Sequence, residues 1–260
     1  MPHKTLAIVN QKGGVGKTTT TANLGIGLAN SGKKVLLVDC DPQASLTVSL
    51  GYSQPDELKV TLADLLKKVL LDEPFQPTDG ILPQAEGVDL LPANIALSGM
   101  EVSLVNAMSR ETILKQYLEP VRKNYDYILI DTNPNLSLLN FNIVNASNYV
   151  LIPAQPASFD LDGLAVVLQF VEGIKPYNPT LQVGGIIINR YDARNRLITE
   201  AAMDQLRESY SALLFEQIIR VDSRLQNAQW ENRPVLDYAG SARISKEYRA
   251  LTKEILKRCV

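Results

Sequence analysis

Short apolar runs rich in Val, Ile and Leu recur along this 260-residue chain, and most of them are continuous rather than alternating. Continuous apolar runs of this length are typical of strands that are buried on both faces of a parallel sheet. Segments with helical spacing lie between the runs, and strand–helix alternation implies right-handed crossovers. We therefore predict a doubly wound, mainly parallel α/β sheet with helices on both faces. The predicted strands are 5–9, 34–39, 88–91, 127–131, 149–153 and 183–189, with 213–219 as a further candidate.

The spacing predicts helices over 18–31, 61–70, 161–175 and 241–257. Because no repeat, low-complexity segment or linker divides the chain, we expect residues 1–260 to form a single domain. Hydrophobic residues make up 45% and charged residues 21% of the chain, as in globular proteins, which excludes disordered and coiled-coil classes. Neither an eighteen-residue apolar run nor a signal for secretion occurs, which predicts a cytoplasmic protein. The net charge of −2 means that any contact with nucleic acid must come from a local basic patch.

The segment between the first predicted strand and the first predicted helix, residues 12–19, reads KGGVGKTT. It matches the phosphate-loop pattern G-x-x-x-x-G-K-[ST] only in part, because the first glycine is missing. Its glycines allow the backbone to fold around phosphates and direct N–H groups inward. Lys17 is then placed to reach the β- and γ-phosphates, and the Thr18 hydroxyl is placed to ligate Mg²⁺.

Lys12 ahead of the two glycines, with Lys17 behind them, resembles the deviant Walker A ATPases, the class that includes ParA/Soj, MinD and the nitrogenase iron protein. The resemblance covers nearly the whole chain and implies ATP and Mg²⁺ as cofactors. It also implies that Lys12 reaches across a nucleotide-sandwich dimer to the partner's ATP, where a second cation offsets charge on the transferred phosphoryl group. The nucleotide contacts expected in this segment are Lys12, Gly13, Gly14, Val15, Gly16, Lys17, Thr18 and Thr19.

Three aspartates lie at or just beyond the ends of predicted strands, where ligands bind in open α/β sheets. Asp39 and Asp41 lie in a D-x-D-P-Q segment, and the resemblance implies that Asp41 orients the attacking water while Asp39 sits near the water shell of the metal. Asp131 follows four apolar residues, the Walker B form in which the carboxylate holds Mg²⁺ through water. A helix cap is the alternative role for Asp41. The family pattern D-x-P-P is broken by Asn133, which predicts a looser loop at this position.

Two further segments match family positions that border the adenine. Asn189 ends the 183–189 run, and the resemblance implies an amide that reads the base; an ordinary strand-end cap is the alternative. Ile219 and Arg220 lie in the segment that the family writes I-P-R-N-V, with isoleucine in place of the proline. The expected catalytic set is Lys12, Lys17 and Asp41, and the expected metal set is Thr18, Asp39 and Asp131.

The branches of the class differ in their partners. The positions of Cys40 and Cys259 do not suit a bridging iron–sulfur cluster. The terminal segment 248–258 is amphipathic but resembles a core-packed closing helix, so we expect no stable association with membranes.

A ParA/Soj-type ATPase fits the chain best, and the resemblance implies an ATP-dependent homodimer that binds non-specific DNA on the nucleoid and is stimulated by a ParB-like DNA-binding adaptor. We select Arg194, Arg220 and Arg224 as the DNA contacts, since cationic side chains neutralise phosphates. The alternative is a MinD-like or cargo-positioning ATPase that acts on a membrane or a protein.

Overall fold

The computed structural model describes residues 3–84, 87–156 and 161–259 and contains a sheet of seven strands. The strands lie in the order β3-β4-β2-β5-β1-β6-β7, and every neighbouring pair is parallel except the short β3, which runs antiparallel to β4. The predicted fold class is therefore confirmed. The strands are β1 (Lys4–Ile8), β2 (Val35–Cys40), β3 (Leu82–Pro83), β4 (Asp89–Leu91), β5 (Tyr127–Thr132), β6 (Tyr149–Ala154) and β7 (Gln182–Ile188).

Eleven α-helices occur within the described residues and surround the sheet. The four predicted helices are found as α1, α3, α7 and α11, each within two residues of the expected ends. The helices are α1 (Lys17–Ala29), α2 (Ser45–Ser49), α3 (Leu62–Leu70), α4 (Leu97–Val105), α5 (Ile113–Val121), α6 (Leu138–Asn145), α7 (Leu161–Ile174), α8 (Arg196–Tyr210), α9 (Ser223–Trp230), α10 (Val235–Tyr238) and α11 (Arg243–Arg258).

The candidate strand 213–219 is the exception among the strand predictions. This segment runs beside β7 and forms isolated bridges, Ile186 to Leu214 and Tyr191 to Arg220, instead of a continuous ladder. Its hydrogen bonds to β7 are made by the Phe215 and Ile219 amides alone, to the carbonyls of Ile186 and Ile188. Apolar residues at 213–219 therefore reflect burial against the edge of the sheet rather than a regular strand.

The sheet is buried on both faces, which explains the continuous apolar runs. Alternate residues of each central strand point to opposite faces. Ala7 of β1 belongs to the core on one face, and Leu6 and Ile8 belong to the core on the other face. The apolar side of α11, including Tyr248 and Leu251, packs into the second core.

The order of the central strands brings distant sequence segments together. In β5, Asp131 lies opposite Ile8 of β1 on one side and opposite Asp39 of β2 on the other. The loop that follows β1 therefore begins next to two aspartates that are far from it in sequence. Within the described residues, none of the helices is both long and apolar enough to cross a membrane.

Candidate functional site

The loop between β1 and α1 has a backbone that depends on glycine. Gly14 and Gly16 have φ angles of 74° and 92°, in the left-handed region that residues with a Cβ rarely adopt. Gly16 immediately precedes α1, and a Cβ added there would overlap the side-chain nitrogen of Asn189. The main chain at Gly16 therefore lies directly against the residue that follows β7. Gly16, Lys17 and Thr18 also line a cavity, so the N-terminus of α1 is accessible to an anion.

The residues that follow β7 hold this loop in place. Asn189 is 1% exposed, and its Nδ2 donates to the Val15 carbonyl over 2.9 Å. The Oδ1 of Asn189 accepts from the amide of Arg190, and Nη1 of Arg190 donates to the Gly14 carbonyl over 3.1 Å. The side-chain amide of Asn189 is therefore hydrogen-bonded to the phosphate loop. This contact favours the alternative role of a strand-end cap over direct recognition of the adenine base.

Lys17, the first residue of α1, is buried, and its Nζ donates to the Lys12 carbonyl over 3.3 Å. Burial lowers the pKa of Lys17, and the nearby charges of Asp131 and Asp41 oppose that shift. A buried ammonium with one carbonyl acceptor fits a phosphate, since a phosphate oxygen would supply the charge that burial removes. The side chain of Lys12 is exposed, and its amide donates to Oδ1 of Asn10 over 2.9 Å.

Asp131, at the end of β5, is 0% exposed. Its Oδ1 accepts from the Thr21 hydroxyl over 3.3 Å, whereas its Oδ2 has no hydrogen-bond partner within the described residues. Burial, reinforced by the neighbouring Asp39, raises the pKa of Asp131, and the Thr18 hydroxyl and Lys17 oppose the shift. A buried carboxylate oxygen without a partner fits a site for a cation or its water.

The side chains at this edge of the sheet fit Mg²⁺. No group of three or more His, Cys, Asp or Glu side chains that could hold a metal ion occurs in the described part of the chain. Mg²⁺ is usually held by one or two carboxylates together with phosphates and water. Thr18, at the second position of α1, and Asp131 supply ligands of that kind.

The other two aspartates are placed differently from each other. Asp39 is fully buried and accepts from the Thr47 amide, the Thr47 hydroxyl and the Asp41 amide at 2.8, 2.7 and 3.1 Å. Burial raises the pKa of Asp39, although these three hydrogen bonds oppose the shift. Asp41 is half-buried, and its Oδ1 accepts from the Gln43 amide over 2.9 Å. The Asp41 side chain is therefore partly accessible to solvent, whereas both oxygens of Asp39 are hydrogen-bonded to neighbouring residues of the chain.

The loop after β5 is tied by asparagines at the position where the family has a proline. Oδ1 of the buried Asn133 accepts from the Asn135 amide at 3.2 Å and from Nδ2 of Asn140 at 3.0 Å. Nδ2 of Asn140 also donates to the main-chain carbonyls of Asn133 and Asn135. These hydrogen bonds restrain the loop although Asn133 replaces the first proline of the family pattern, in contrast to the looser loop expected from the sequence.

A cavity of about 770 Å³ opens between the phosphate loop and the segment 220–235. Asp41, Thr132 and Asn189 line it, whereas the fully buried Asp39 and Asp131 do not. Gln229 of α9 also lines the cavity, and its Nε2 donates to the Thr19 hydroxyl over 2.9 Å. The predicted nucleotide contacts that line the cavity are Gly13, Gly14, Gly16, Lys17, Thr18, Thr19, Asn189 and Arg220.

Three predicted nucleotide contacts, Lys12, Val15 and Ile219, do not line this cavity. Ile219 requires a correction, because its side chain is 0% exposed. Its amide donates to Ile188, and its carbonyl accepts from Tyr191, so its main chain is also engaged. Alternation along the segment then turns the next residue, Arg220, toward the cavity.

The three predicted DNA contacts all form ion pairs and keep exposed side chains. Arg194 pairs with Asp192 at 2.8 Å, and its side chain is 81% exposed. Arg220 pairs with the buried Glu247 at 2.8 Å. The third residue, Arg224, pairs with Asp222 at 3.1 Å. The side chains of Arg220 and Arg224 are 46% and 50% exposed.

Several residues of the site have no motif that marks them in the sequence. Gln229 and Asn23 are examples: Asn23 accepts from the Leu236 amide over 3.0 Å and so attaches the far wall of the cavity to α1. Such contacts join residues more than 200 positions apart. The only signal in the sequence is a polar residue on a helix, and nearly every helix that packs against a sheet carries several of those.

The fold and the site together define a P-loop nucleotide-binding protein, with a glycine loop, a buried lysine and aspartates at the ends of adjacent parallel strands. A family model described as an AAA domain matches residues 3–183. The sporulation initiation inhibitor protein Soj of Bacillus subtilis is 37% identical over 253 residues, which are 97% of this chain and 98% of Soj. The chromosome partitioning protein ParA of Caulobacter vibrioides is 36% identical over 260 residues, 99% of this chain and 95% of ParA. The chain belongs to the ParA/Soj family of partition ATPases.

A solved structure has the same fold. The structure described as cobyrinic acid a,c-diamide synthase of Mycobacterium smegmatis with bound ADP and magnesium has a TM-score of 0.83 and 31% identity. The match covers 98% of this chain and 94% of that chain. The Soj and ParA relatives, which match nearly the whole chain, confirm the predicted membership of the ParA/Soj class.

Proposed function

We propose that this chain is a Mg²⁺-dependent ATPase of the partition type. ATP binding builds a homodimer that binds DNA without sequence preference, and hydrolysis releases the DNA. The ATPase proposal rests on two buried charged groups: Lys17 at the start of α1, and Asp131, whose Oδ2 lacks a hydrogen-bond partner among the described residues. The relatives, which are partition ATPases, and a structural neighbour with ADP and magnesium support the choice of ligand.

The chain's residues divide the work as follows. Main-chain amides of the phosphate loop and the N-terminus of α1 bind the phosphates, and Lys17 holds their terminal charge. Thr18 and Asp131 would hold Mg²⁺, which when bound neutralises the charge that develops on the phosphoryl group. Asp41, at the wall of the cavity, orients the attacking water. Lys12, exposed beside the loop, extends to the nucleotide of the second subunit.

Hydrolysis is tested with Lys17→Ala and Asp41→Ala. We expect Lys17→Ala to abolish binding of a fluorescent ATP analogue, because the buried cation is removed from the phosphate site. We expect Asp41→Ala to retain binding and lose turnover. Lys34→Ala, which removes an exposed lysine that does not line the cavity, is the matched control. Turnover that is unchanged by both Lys17→Ala and Asp41→Ala contradicts the assignment of the active site.

DNA binding is proposed for three exposed arginines, Arg194, Arg220 and Arg224. Arg220 lines the cavity, and Arg224 lies on α9, the helix whose Leu225 and Gln226 line it. Each of the three side chains remains exposed although it is ion-paired, so a DNA phosphate can compete with the acidic partner for the guanidinium group. Dimerisation doubles the number of such groups on one surface, and each phosphate contact adds about one unit to the slope of log K against log salt. The affinity for DNA therefore depends on the nucleotide, because ATP stabilises the dimer.

The test measures binding to an arbitrary duplex with ATP and with ADP at two salt concentrations. We expect binding with ATP alone, a steep loss with salt, and a smaller slope for Arg220→Ala and Arg224→Ala. Arg207→Ala is the matched control, since Arg207 is also exposed and ion-paired, to Asp204, but lies on α8, which contributes no described residue to the lining of the cavity. Equal effects of the three substitutions would contradict the proposed surface.

We extend the proposal to a ParB-like DNA-binding adaptor that stimulates hydrolysis, and to a cytoplasmic location on the nucleoid. The membrane alternative would need an apolar surface at the C-terminus, but Tyr248, Leu251 and Ile255 of α11 are already buried in the core. Co-sedimentation of the full chain with anionic vesicles, seen with ATP and absent with ADP, would favour that alternative instead.

A further inference from the structure

The carboxylate of Asp39 joins the two ends of the loop that carries Asp41. Its Oδ1 accepts from the Asp41 amide over 3.1 Å, and its Oδ2 accepts from the Thr47 amide over 2.8 Å and from the Thr47 hydroxyl over 2.7 Å. Asp39 and Thr47 are both 0% exposed. Charge-assisted hydrogen bonds of this kind are the stronger ones in proteins, and here one side chain forms three of them.

The Thr47 hydroxyl extends the connection to a third segment. It donates to Asp39 and accepts from the Ala93 amide over 3.1 Å. Ala93 follows β4, so the hydroxyl connects the end of β2, the helix α2 and the chain beyond β4. A serine would keep both hydrogen bonds, whereas a valine of similar shape would keep neither.

The loop between the two ends is a tight turn. Ala44 has a φ of 52°, in the left-handed region, and its amide donates to the Asp41 carbonyl over 2.8 Å. The Gln43 amide donates to the carboxylate of Asp41, which lines the cavity. The direction of the Asp41 side chain therefore depends on a backbone that Asp39 and Thr47 hold from below.

We infer that Asp39 and Thr47 are positioning residues that fix the main chain of Asp41 at the edge of the cavity. Asp39 thus acts on the reaction through Asp41 and not through the water shell of the metal. Its two oxygens are engaged with its own chain, whereas Oδ2 of Asp131 has no hydrogen-bond partner among the described residues. The inference rests on the proposed ATPase function, because it assigns Asp41 to the attacking water.

The test compares Thr47→Val with Thr47→Ser and Asp39→Asn in the full chain. We expect Thr47→Val and Asp39→Asn to lower kcat by at least about 10-fold, since small misplacements of a catalytic group cost up to about 100-fold. We expect KM for ATP and the Mg²⁺ concentration for half-maximal activity to stay within about twofold, and Thr47→Ser to retain the kcat of the unsubstituted chain.

A second readout does not depend on turnover. Amide hydrogen exchange of residues 40–48 in the nucleotide-free protein should accelerate in Thr47→Val and Asp39→Asn, and should stay unchanged in Thr47→Ser. A weakened dependence on Mg²⁺ in Asp39→Asn, together with normal kcat and exchange in Thr47→Val, would overturn the inference and return Asp39 to the metal. A chain without ATPase activity refutes the proposed function instead, and the exchange comparison still decides whether the two side chains hold the loop.

Discussion

Replacing Gly16 by alanine should destabilise the nucleotide-free protein more than any other single methyl group added to the phosphate loop. The φ of 92° is left-handed, which costs an alanine about 1–2 kcal/mol. The added Cβ also displaces the buried Asn189 amide and breaks its 2.9 Å hydrogen bond to Val15, which costs a further 1–3 kcal/mol or so. The free energy of unfolding should therefore fall by about 2–5 kcal/mol.

Thermal unfolding without nucleotide measures this loss. In a chain of this size about 2–4 °C of Tm corresponds to 1 kcal/mol, so Tm should fall by at least about 4 °C. Gly13→Ala is the matched control: no atom lies within 4 Å of its added Cβ, and its φ is not positive, so its Tm should change by less than about 2 °C.

A double-mutant cycle separates the two causes. Asn189→Ala removes the atom that the new Cβ meets, so Gly16→Ala should cost less in that background than in the unsubstituted chain. If the losses of stability for Gly16→Ala and Asn189→Ala are additive within error, the steric argument is refuted. Equal losses of Tm for Gly13→Ala and Gly16→Ala would refute it as well.

Further predictions concern the buried aspartate and the helix α9. Burial, reinforced by the neighbouring Asp39, raises the pKa of Asp131, so the folded state retains a proton that the unfolded state releases. The free energy of unfolding should therefore fall as pH rises above about 4, the ordinary carboxyl pKa, and Asp131→Asn should flatten that fall in Tm measured at several pH values without nucleotide or metal. Gln229→Ala, which removes the hydrogen bond to Thr19, should speed nucleotide dissociation in stopped-flow fluorescence, whereas Asn227→Ala on the same helix should not. Trp230 is the one tryptophan of the sequence and is 89% exposed, so acrylamide should quench its emission without nucleotide as in a solvated indole; a shielded, blue-shifted emission would contradict this placement of α9.

The sequence predicts those parts of the site that are contiguous. The glycines, Lys17 and Thr18 lie within eight positions, between a strand and a helix, so their arrangement follows from local structure. Asp39 and Asp131 are predictable for a different reason, since residues at the carboxyl ends of parallel strands meet at one edge of the sheet.

The remainder of the site depends on contacts that no spacing encodes. The sequence places Asn189 at a strand tip, but the identity of its partner, the Val15 carbonyl, follows from how β7 lies against the phosphate loop. Ile219 illustrates the reverse case, because a family position suggests a nucleotide contact while the alternation of a segment beside β7 turns the side chain into the core. The role of Thr47 is also not predictable from the sequence, because nothing marks this threonine of a five-residue helix as the partner of Asp39.

The hydrogen bonds that brace the phosphate loop also set an order for its assembly during synthesis. The loop is among the first segments to leave the ribosome. Asn189, which donates a hydrogen bond to the Val15 carbonyl, is synthesised 174 residues after Val15. Leu236, whose amide donates to Asn23 of α1, is synthesised 213 residues after Asn23. Domains form as units as the chain emerges, and contacts between distant segments form last. A growing chain therefore carries its phosphate-binding sequence long before it has a nucleotide site. The wall of the cavity formed by residues 220–235 belongs to the last quarter of the polypeptide, so a chain that ends before it lacks a complete nucleotide site.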